Sequence, residues 1–201
     1  MLISPSLLHH RSALPCLLAM LMSLCGVGAW AKDAPERSEG QAAQGELKTI
    51  AALDVPRYMG TWFEIAKFPN RFQRKCVADT RAEYSLQGDG RVKVFNHCKA
   101  EGGNTIEAVG LARQVGPATS PRLEVRFAPA WLSFLPFVWG DYWVIDLDAQ
   151  YRLVAVSEPE RQYLWILSRT SHVDPNEYNA LLGRLSQKGF DLSKLEITKQ
   201  D

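Results

Sequence analysis

The sequence predicts an all-β fold: an eight-stranded antiparallel up-and-down barrel with one C-terminal α-helix packed outside it. Three observations lead to this prediction. From Gly60 onward, short segments rich in β-branched and aromatic residues alternate with turn residues. Most of these segments are joined by hairpin-length connections, and only one stretch near the carboxyl terminus has helical periodicity. Closure removes both exposed sheet edges, which favours a barrel, with a two-sheet sandwich as the alternative.

The clearest strand is predicted over residues 77–86. There Ala78, Ala82 and Tyr84 share one face and charged residues occupy the other, which is the period of two of a half-buried strand. Residues 87–90 (QGDG) then form a predicted hairpin turn. The same pattern predicts seven further strands, within residues 60–69, 91–98, 105–115, 122–128, 142–147, 151–157 and 163–169.

A single amphipathic helix is predicted after the strands. Asp174 is a good N-cap, Pro175 suits the first helical position, and Glu177 completes a capping box. Gly189 is placed to end the helix. One apolar stripe is formed by Tyr178, Leu181, Leu182 and Leu185. Residues 195–198 are predicted to add a short last strand beside the barrel.

The first 31 residues have the pattern of a cleaved signal peptide. Residues 13–27 are almost entirely apolar, and the AWA of residues 29–31 is a cleavage motif. The alternative is acylation of Cys25, but the preceding residue, Leu24, is larger than lipid attachment prefers. We therefore expect an exported protein, periplasmic or secreted, with an outer-membrane lipoprotein anchored through Cys25 as the alternative.

Residues 32–49 are predicted to be a flexible linker, because almost no large apolar side chain occurs there. The barrel domain is then predicted over residues 50–201. Removal of residues 1–31 takes away Arg11 and no acidic residue, which leaves 22 acidic residues and as many basic ones. This balance gives no electrostatic footprint for nucleic acid, so no nucleic-acid partner is expected.

Two cysteines remain after the predicted cleavage, Cys76 and Cys98. Hairpin pairing around the turn at residues 88–90 brings them close together, and an even number of cysteines in an exported chain is typical of a disulfide. The alternative is a reactive thiol.

No motif in the sequence indicates catalysis. The chain has no HExxH, G-x-S-x-G or P-loop pattern and no Cys/His cluster with metal-ligand spacing. His97 and His172 are distant in sequence from any evident nucleophile. We therefore expect a protein that is not an enzyme, without cofactor or metal.

Three regions of the chain resemble the signature regions of the lipocalin family. Residues 60–62 (GTW) resemble the G-x-W motif of the first strand, residues 142–148 (YWVIDLD) the second region, and residues 163–169 (YLWILSR) the third. The resemblance covers about residues 50–198 and is greatest to the bacterial lipocalin branch, which includes apolipoprotein D and plant temperature-induced lipocalins. It implies that Trp62 plugs the closed end of the barrel and that the guanidinium of Arg169 lies on its indole, as a structural contact.

A barrel of eight strands either fills its interior or holds one small ligand. Alternation from Trp62 predicts that Glu64 and Ala66 also point inward, and the inward choice of Tyr142 and Val144 follows partly from the resemblance. A ligand-sized cavity is predicted, with a filled core as the alternative. Its predicted ligand-binding residues are Glu64, Tyr84, Ala108, Phe127, Tyr142, Val144 and Trp165. This mostly apolar wall suits an acyl chain with its polar head near the mouth.

Residues 130–140 (AWLSFLPFVWG) form a loop by position and yet are strongly apolar. Such a cluster predicts a lid, a dimer contact or a wedge into a membrane interface. Its aromatic residues are Trp131, Phe134, Phe137 and Trp139.

The predicted function is non-catalytic binding, transport or storage of a fatty acid, a lysophospholipid or a similar apolar molecule in the cell envelope. The alternatives are a lipid-modifying enzyme on the same scaffold and a membrane or protein interaction module that acts through residues 130–140. The expected partner is a hydrophobic small molecule, and peripheral contact with a membrane is also expected. The protein is expected to be a monomer or a homodimer.

Overall fold

The computed structural model describes residues 45–201, and eight antiparallel strands close a barrel there. The strands are β1 (Gly60–Lys67), β2 (Cys76–Leu86), β3 (Val92–Ala100), β4 (Thr105–Gln114), β5 (Arg122–Arg126), β6 (Gly140–Leu147), β7 (Leu153–Ser157) and β8 (Leu164–Ser168). Each strand pairs with the next, and β1 pairs with both β2 and β8. The predicted up-and-down barrel is therefore confirmed.

Strand β1 changes the face that it presents to the interior partway along its length. The pairing of β1 with β8 shifts at a β-bulge between Glu64 and Ala66. A bulge places an extra residue in one strand, so the inward alternation is lost beyond it. The prediction that Ala66 points inward is wrong, because Ala66 packs with Ile166 and Leu181 in a separate cluster outside the barrel.

Two α-helices and a ninth strand complete the domain: α1 (Val55–Tyr58), α2 (Pro175–Gln187) and β9 (Glu196–Ile197). Strand β9 pairs with β1, which confirms the short last strand predicted within residues 195–198. Short 3-10 turns cover Arg71–Gln73, Glu101–Gly103, Ala130–Leu132, Pro136–Val138 and Leu192–Lys194. Among the described residues, no helix is long and apolar enough to cross a membrane.

Helix α2 packs against the outside of the barrel through its predicted stripe, with Leu181 and Leu185 fully buried. Its N-cap is confirmed, since the carboxylate of Asp174 accepts the first free backbone N–H groups. The predicted role of Glu177 in a capping box is wrong: its carboxylate accepts a hydrogen bond of 3.0 Å from Arg152 on the barrel instead. Tertiary contact with a cation thus replaces a local backbone bond.

The described domain begins earlier than the sequence predicts. Leu47 lies inside the predicted linker, and yet it is 1% exposed and packs in the cluster beneath α2. Two polar contacts also join this segment to the domain: Arg161 donates a hydrogen bond of 2.7 Å to the carbonyl of Gly45, and Arg122 forms an ion pair of 3.3 Å with Glu46. The predicted signal peptide (residues 1–31), Cys25 and residues 32–44 lie outside the described residues.

Candidate ligand-binding cavity

The barrel encloses a cavity of about 660 Å³. Helix α1 and the residues before it cover one end of the barrel, and the loops after β1 and β5 surround the other end. The wall of the cavity is mainly apolar. Among its aliphatic residues are Leu53, Val55, Val92, Val94, Ala112, Leu123, Val125 and Leu167.

The structure places most of the predicted ligand-binding residues around this cavity. Those that line it are Glu64, Tyr84, Ala108, Phe127, Tyr142 and Trp165. The placement of Val144 in the lining is wrong. Val144 is fully buried and is not among the residues that line the cavity, so it supports the barrel interior without facing the empty space.

The closed end is held by Trp62 and Arg169, as the resemblance implies. The guanidinium carbon of Arg169 lies 3.9 Å from the centroid of the indole of Trp62, which is a cation–π contact. The guanidinium also donates hydrogen bonds of 2.9 Å to the carbonyls of Thr61 and Arg57. Burial lowers the pKa of Arg169 from its usual value. The indole Nε1 donates to the carbonyl of Tyr58 at 2.9 Å, so one interaction network joins β1, β8 and α1.

Three tyrosine hydroxyls meet at the closed end of the cavity. The hydroxyl of Tyr142 is 2.8 Å from that of Tyr58 and 3.1 Å from that of Tyr84. All three side chains line the cavity. Burial raises the pKa of Tyr84 to about 12, and it raises the pKa values of Tyr58 and Tyr142 well above the usual value. These groups are therefore neutral hydrogen-bond donors and acceptors.

Glu64 is a buried carboxyl that hydrogen bonds hold in place. It accepts from the hydroxyl of Thr198 at 2.6 Å and from the side-chain amide of Gln73. Gln73 in turn accepts from the indole of Trp165 at 3.0 Å. Burial raises the pKa of Glu64, and the two hydrogen bonds oppose that shift. The carboxyl thereby connects β1 to the loop after it, to β8 and to the segment after β9.

Sequence reasoning missed part of this site. Tyr58 comes from α1, which the strand pattern did not reveal, although Asp54 before a proline-containing turn is a capping signal that points to such a helix. Gln73 lies in a loop, and nothing in its local sequence indicates that it contacts Glu64. Asn96 on β3 also lines the cavity, and its buried side-chain oxygen has no hydrogen-bond partner.

The predicted disulfide is confirmed. Cys76 and Cys98 are bonded, with their Cα atoms 5.6 Å apart. The bond joins the start of β2 to the end of β3, and both cysteines line the cavity. It therefore stabilises the rim of the barrel opposite the closed end.

The aromatic residues of the loop at 130–140 behave in two ways. Trp131, Phe134 and Phe137 are 73%, 76% and 79% exposed. Trp139 instead packs against the barrel, with the guanidinium carbon of Arg113 4.1 Å from its ring centroid and its indole donating to a carbonyl within the loop. The loop thus presents exposed aromatic residues while it is anchored beside the cavity, which Phe137 and Trp139 also line.

Within residues 45–201, no group of three or more His, Cys, Asp or Glu residues is arranged to hold a metal ion. His97, one of the two histidines noted in the sequence, accepts a hydrogen bond from the guanidinium of Arg81. Burial, together with the charge of Arg81, lowers the pKa of His97.

Four features define the class of the protein. They are a closed eight-stranded barrel, an internal apolar cavity, a Trp–Arg contact at the closed end and one helix packed outside. The family described as "Lipocalin-like domain" matches residues 53–200. The chain belongs to the lipocalin family, whose members bind small hydrophobic ligands and are generally not enzymes.

Relatives from a plant, a bacterium and an animal show to which branch of the family the chain is similar. Temperature-induced lipocalin-1 of Arabidopsis thaliana is 41% identical over 157 residues, which cover 77% of this chain and 83% of that protein. Outer membrane lipoprotein Blc of Escherichia coli K12 is also 41% identical, with the same coverage. Apolipoprotein D of Macaca fascicularis is 30% identical and covers 74% and 78% of the two chains. These relatives confirm the branch that the signature regions indicated.

Solved structures show the same fold at lower identity. The cockroach allergen Per a 4 superposes with a TM-score of 0.59 at 19% identity, covering 77% of this chain and 93% of that one. Insecticyanin from the tobacco hornworm Manduca sexta also gives a TM-score of 0.59 at 19% identity, covering 76% and 84%.

Proposed function

We propose that the protein binds a single-chain lipid, such as a fatty acid or a lysophospholipid, and transports or stores it without chemical change. The cavity of about 660 Å³ carries this proposal. Its volume is within the range of about 300–1,000 Å³ that small-molecule sites occupy. A long apolar wall with a few fixed polar groups favours a ligand that has one polar end and one acyl chain.

We further propose that the protein acts in the cell envelope after export. The apolar segment and AWA motif in residues 1–31 support export. The Escherichia coli relative is named as an outer membrane lipoprotein, which supports the same compartment. The disulfide also supports it, because such bonds persist in oxidising compartments.

Ala108→Trp is expected to weaken strongly the binding of hexadecanoic acid to residues 32–201. Ala108 lines the cavity from β4, so an indole at this position would occupy the space of an acyl chain. Native mass spectrometry and displacement of a fluorescent fatty acid would measure the stoichiometry and the affinity. We expect one molecule bound per wild-type chain and at least a tenfold loss of affinity in the variant.

The matched control is Val109→Trp, which adds the same side chain at the neighbouring position. Val109 is exposed and does not line the cavity. This variant is expected to bind hexadecanoic acid as the wild type does. If neither hexadecanoic acid nor lysophospholipid binds to the wild type, the proposed function is wrong.

A second proposal concerns the exposed aromatic residues Trp131, Phe134 and Phe137. Three large apolar side chains that project from one loop beside the cavity suit insertion at a lipid headgroup boundary.

The triple variant Trp131→Ser/Phe134→Ser/Phe137→Ser is expected to lose most cosedimentation with vesicles of phosphatidylethanolamine and phosphatidylglycerol. Ile197→Ser, which removes an exposed apolar residue on β9, is the control and is expected to leave cosedimentation unchanged. Loss of a dimer in the triple variant, with vesicle binding retained, would instead assign the loop to self-association.

A further inference from the structure

The tyrosine cluster at the closed end holds a hydrogen-bond donor that the protein itself does not use. Tyr58, Tyr84 and Tyr142 have three hydroxyl protons, and their two mutual contacts require two. Within residues 45–201, these hydroxyls have no hydrogen-bond partners besides one another. At least one proton is therefore available to an acceptor in the cavity.

The cluster is rigidly supported from behind. The ring centroids of Tyr58 and Trp62 are 5.0 Å apart, and those of Tyr58 and Tyr84 are 5.7 Å apart. Trp62 is in turn covered by the guanidinium of Arg169. Rings that are packed this closely hold the hydroxyls in fixed positions, so they can receive a polar group with little loss of conformational entropy on binding.

Electrostatics at the closed end favour an oxygen with negative charge. Burial raises the pKa values of Tyr58 and Tyr84, and the positive charge of Arg169 opposes that shift. The same positive charge, together with neutral hydroxyl donors in a desolvated site, stabilises an acceptor such as a carboxylate. Among the described residues, two carboxyl groups line the cavity: Glu107, which is exposed, and Glu64, whose two oxygens already accept hydrogen bonds. The charge of Glu64 is the smallest of the causes that shift the pKa of Tyr84.

The mouth of the cavity has the opposite character. Phe127 and Phe137 line it and are themselves partly or largely exposed. Arg71 also lines the cavity, but its guanidinium stacks on the ring of Phe72, which is 63% exposed. An ion pair formed there with a ligand would be screened by water and contribute little. The mouth therefore offers a polar head only contacts that water screens, whereas its aromatic rings can cover part of a hydrocarbon tail.

We propose that the ligand binds with its polar end innermost, as a long-chain carboxylic acid whose terminal oxygens accept hydrogen bonds from the tyrosine cluster and whose tail points to the mouth. This proposal rests on the proposed lipid-binding function, and it reverses the orientation that the sequence predicted.

The triple variant Tyr58→Phe/Tyr84→Phe/Tyr142→Phe removes every hydroxyl of the cluster and tests the proposal by affinity. Removal of Tyr142 alone would leave Tyr58 and Tyr84 with free protons. We expect the triple variant to weaken hexadecanoic acid binding about tenfold, the loss that corresponds to one hydrogen bond to a charged group. It is expected to leave binding of hexadecane, which has no acceptor, unchanged or stronger. Tyr178→Phe makes the same chemical change on α2, outside the barrel, and is expected to bind both ligands as the wild type does.

Tyr163→Phe is the contrasting variant, because it removes a different hydroxyl from the cavity wall. Tyr163 immediately precedes β8, and its ring stacks on that of Trp165, which donates a hydrogen bond to Gln73. A larger loss of affinity in Tyr163→Phe than in the triple variant would place the carboxylate at the mouth and overturn the proposal. Equal binding of hexadecanoic acid by the triple variant and the wild type would also overturn it. If the wild type binds neither hexadecanoic acid nor hexadecane, the proposed function itself fails, which is a different result.

A crystal structure with 2-bromohexadecanoic acid gives the orientation directly, since bromine next to the carboxyl group can be located by anomalous scattering. The bromine is expected beside the hydroxyl of Tyr142, and that of 16-bromohexadecanoic acid beside Phe127 or Phe137. The reverse pair of positions would overturn the proposal while it upheld lipid binding.

Discussion

Trp62→Ala is expected to lower the free energy of unfolding by about 3–5 kcal/mol, the usual loss for truncation of a large buried aromatic side chain. Trp62 is fully buried at the closed end, where its indole contacts the ring of Tyr58 and the guanidinium of Arg169. The alanine variant leaves a cavity and removes the ring that Arg169 covers. Urea unfolding followed by circular dichroism would measure the loss.

Trp131→Ala is the control for this experiment. Trp131 is exposed in the loop at residues 130–140, so its truncation is expected to change the free energy of unfolding by no more than about 0.5 kcal/mol. A loss of less than about 1 kcal/mol in Trp62→Ala would contradict the role of this tryptophan as the plug of the barrel.

The double variant Cys76→Ser/Cys98→Ser is expected to lower the free energy of unfolding by about 3 kcal/mol. The disulfide closes a loop between residues 22 positions apart, and opening it restores conformational entropy to the unfolded chain. Because the cysteines also line the cavity at the ends of β2 and β3, we expect the affinity for hexadecanoic acid to fall as the rim loosens.

Reduction of the wild type with dithiothreitol provides the matched comparison, since it opens the same loop without substitution. The reduced wild type and the double variant are expected to have the same urea midpoint. Equal midpoints for the oxidised wild type and the double variant would show that the bond does not stabilise the domain.

Local patterns in the sequence determined the barrel and its outer helix. The alternation in β2 and the helical stripe of Leu181 and Leu185 each follow from burial of one face, which a sequence records directly. The cap at Asp174 is equally local, because its side chain reaches backbone groups only two and three residues away. The three signature regions then identified the family, and simple hairpin pairing was sufficient to predict the disulfide.

The alternation of inward and outward residues along each strand also predicted much of the cavity wall. The prediction failed where the backbone departs from regular geometry. The bulge in β1 moved Ala66 out of the interior, and no residue type in that strand signals it. Val144 failed for another reason: it points into the barrel, but packing around Trp62 fills that part of the interior. Periodicity reports the face of a strand and not how far the empty space extends along it.

Tertiary structure alone decided the polar chemistry of the site. Tyr58, Tyr84 and Tyr142 come from three different elements, and only barrel closure brings the hydroxyls of Tyr58 and Tyr84 within 3.1 Å of that of Tyr142. Glu64 likewise obtains its partners from a loop and from Thr198, 134 residues away. The sequence by itself determined which faces are buried, because burial acts on each strand separately. The hydrogen bonds inside the cavity join side chains from elements that are not consecutive in the chain, and the pattern within one strand does not reveal such contacts.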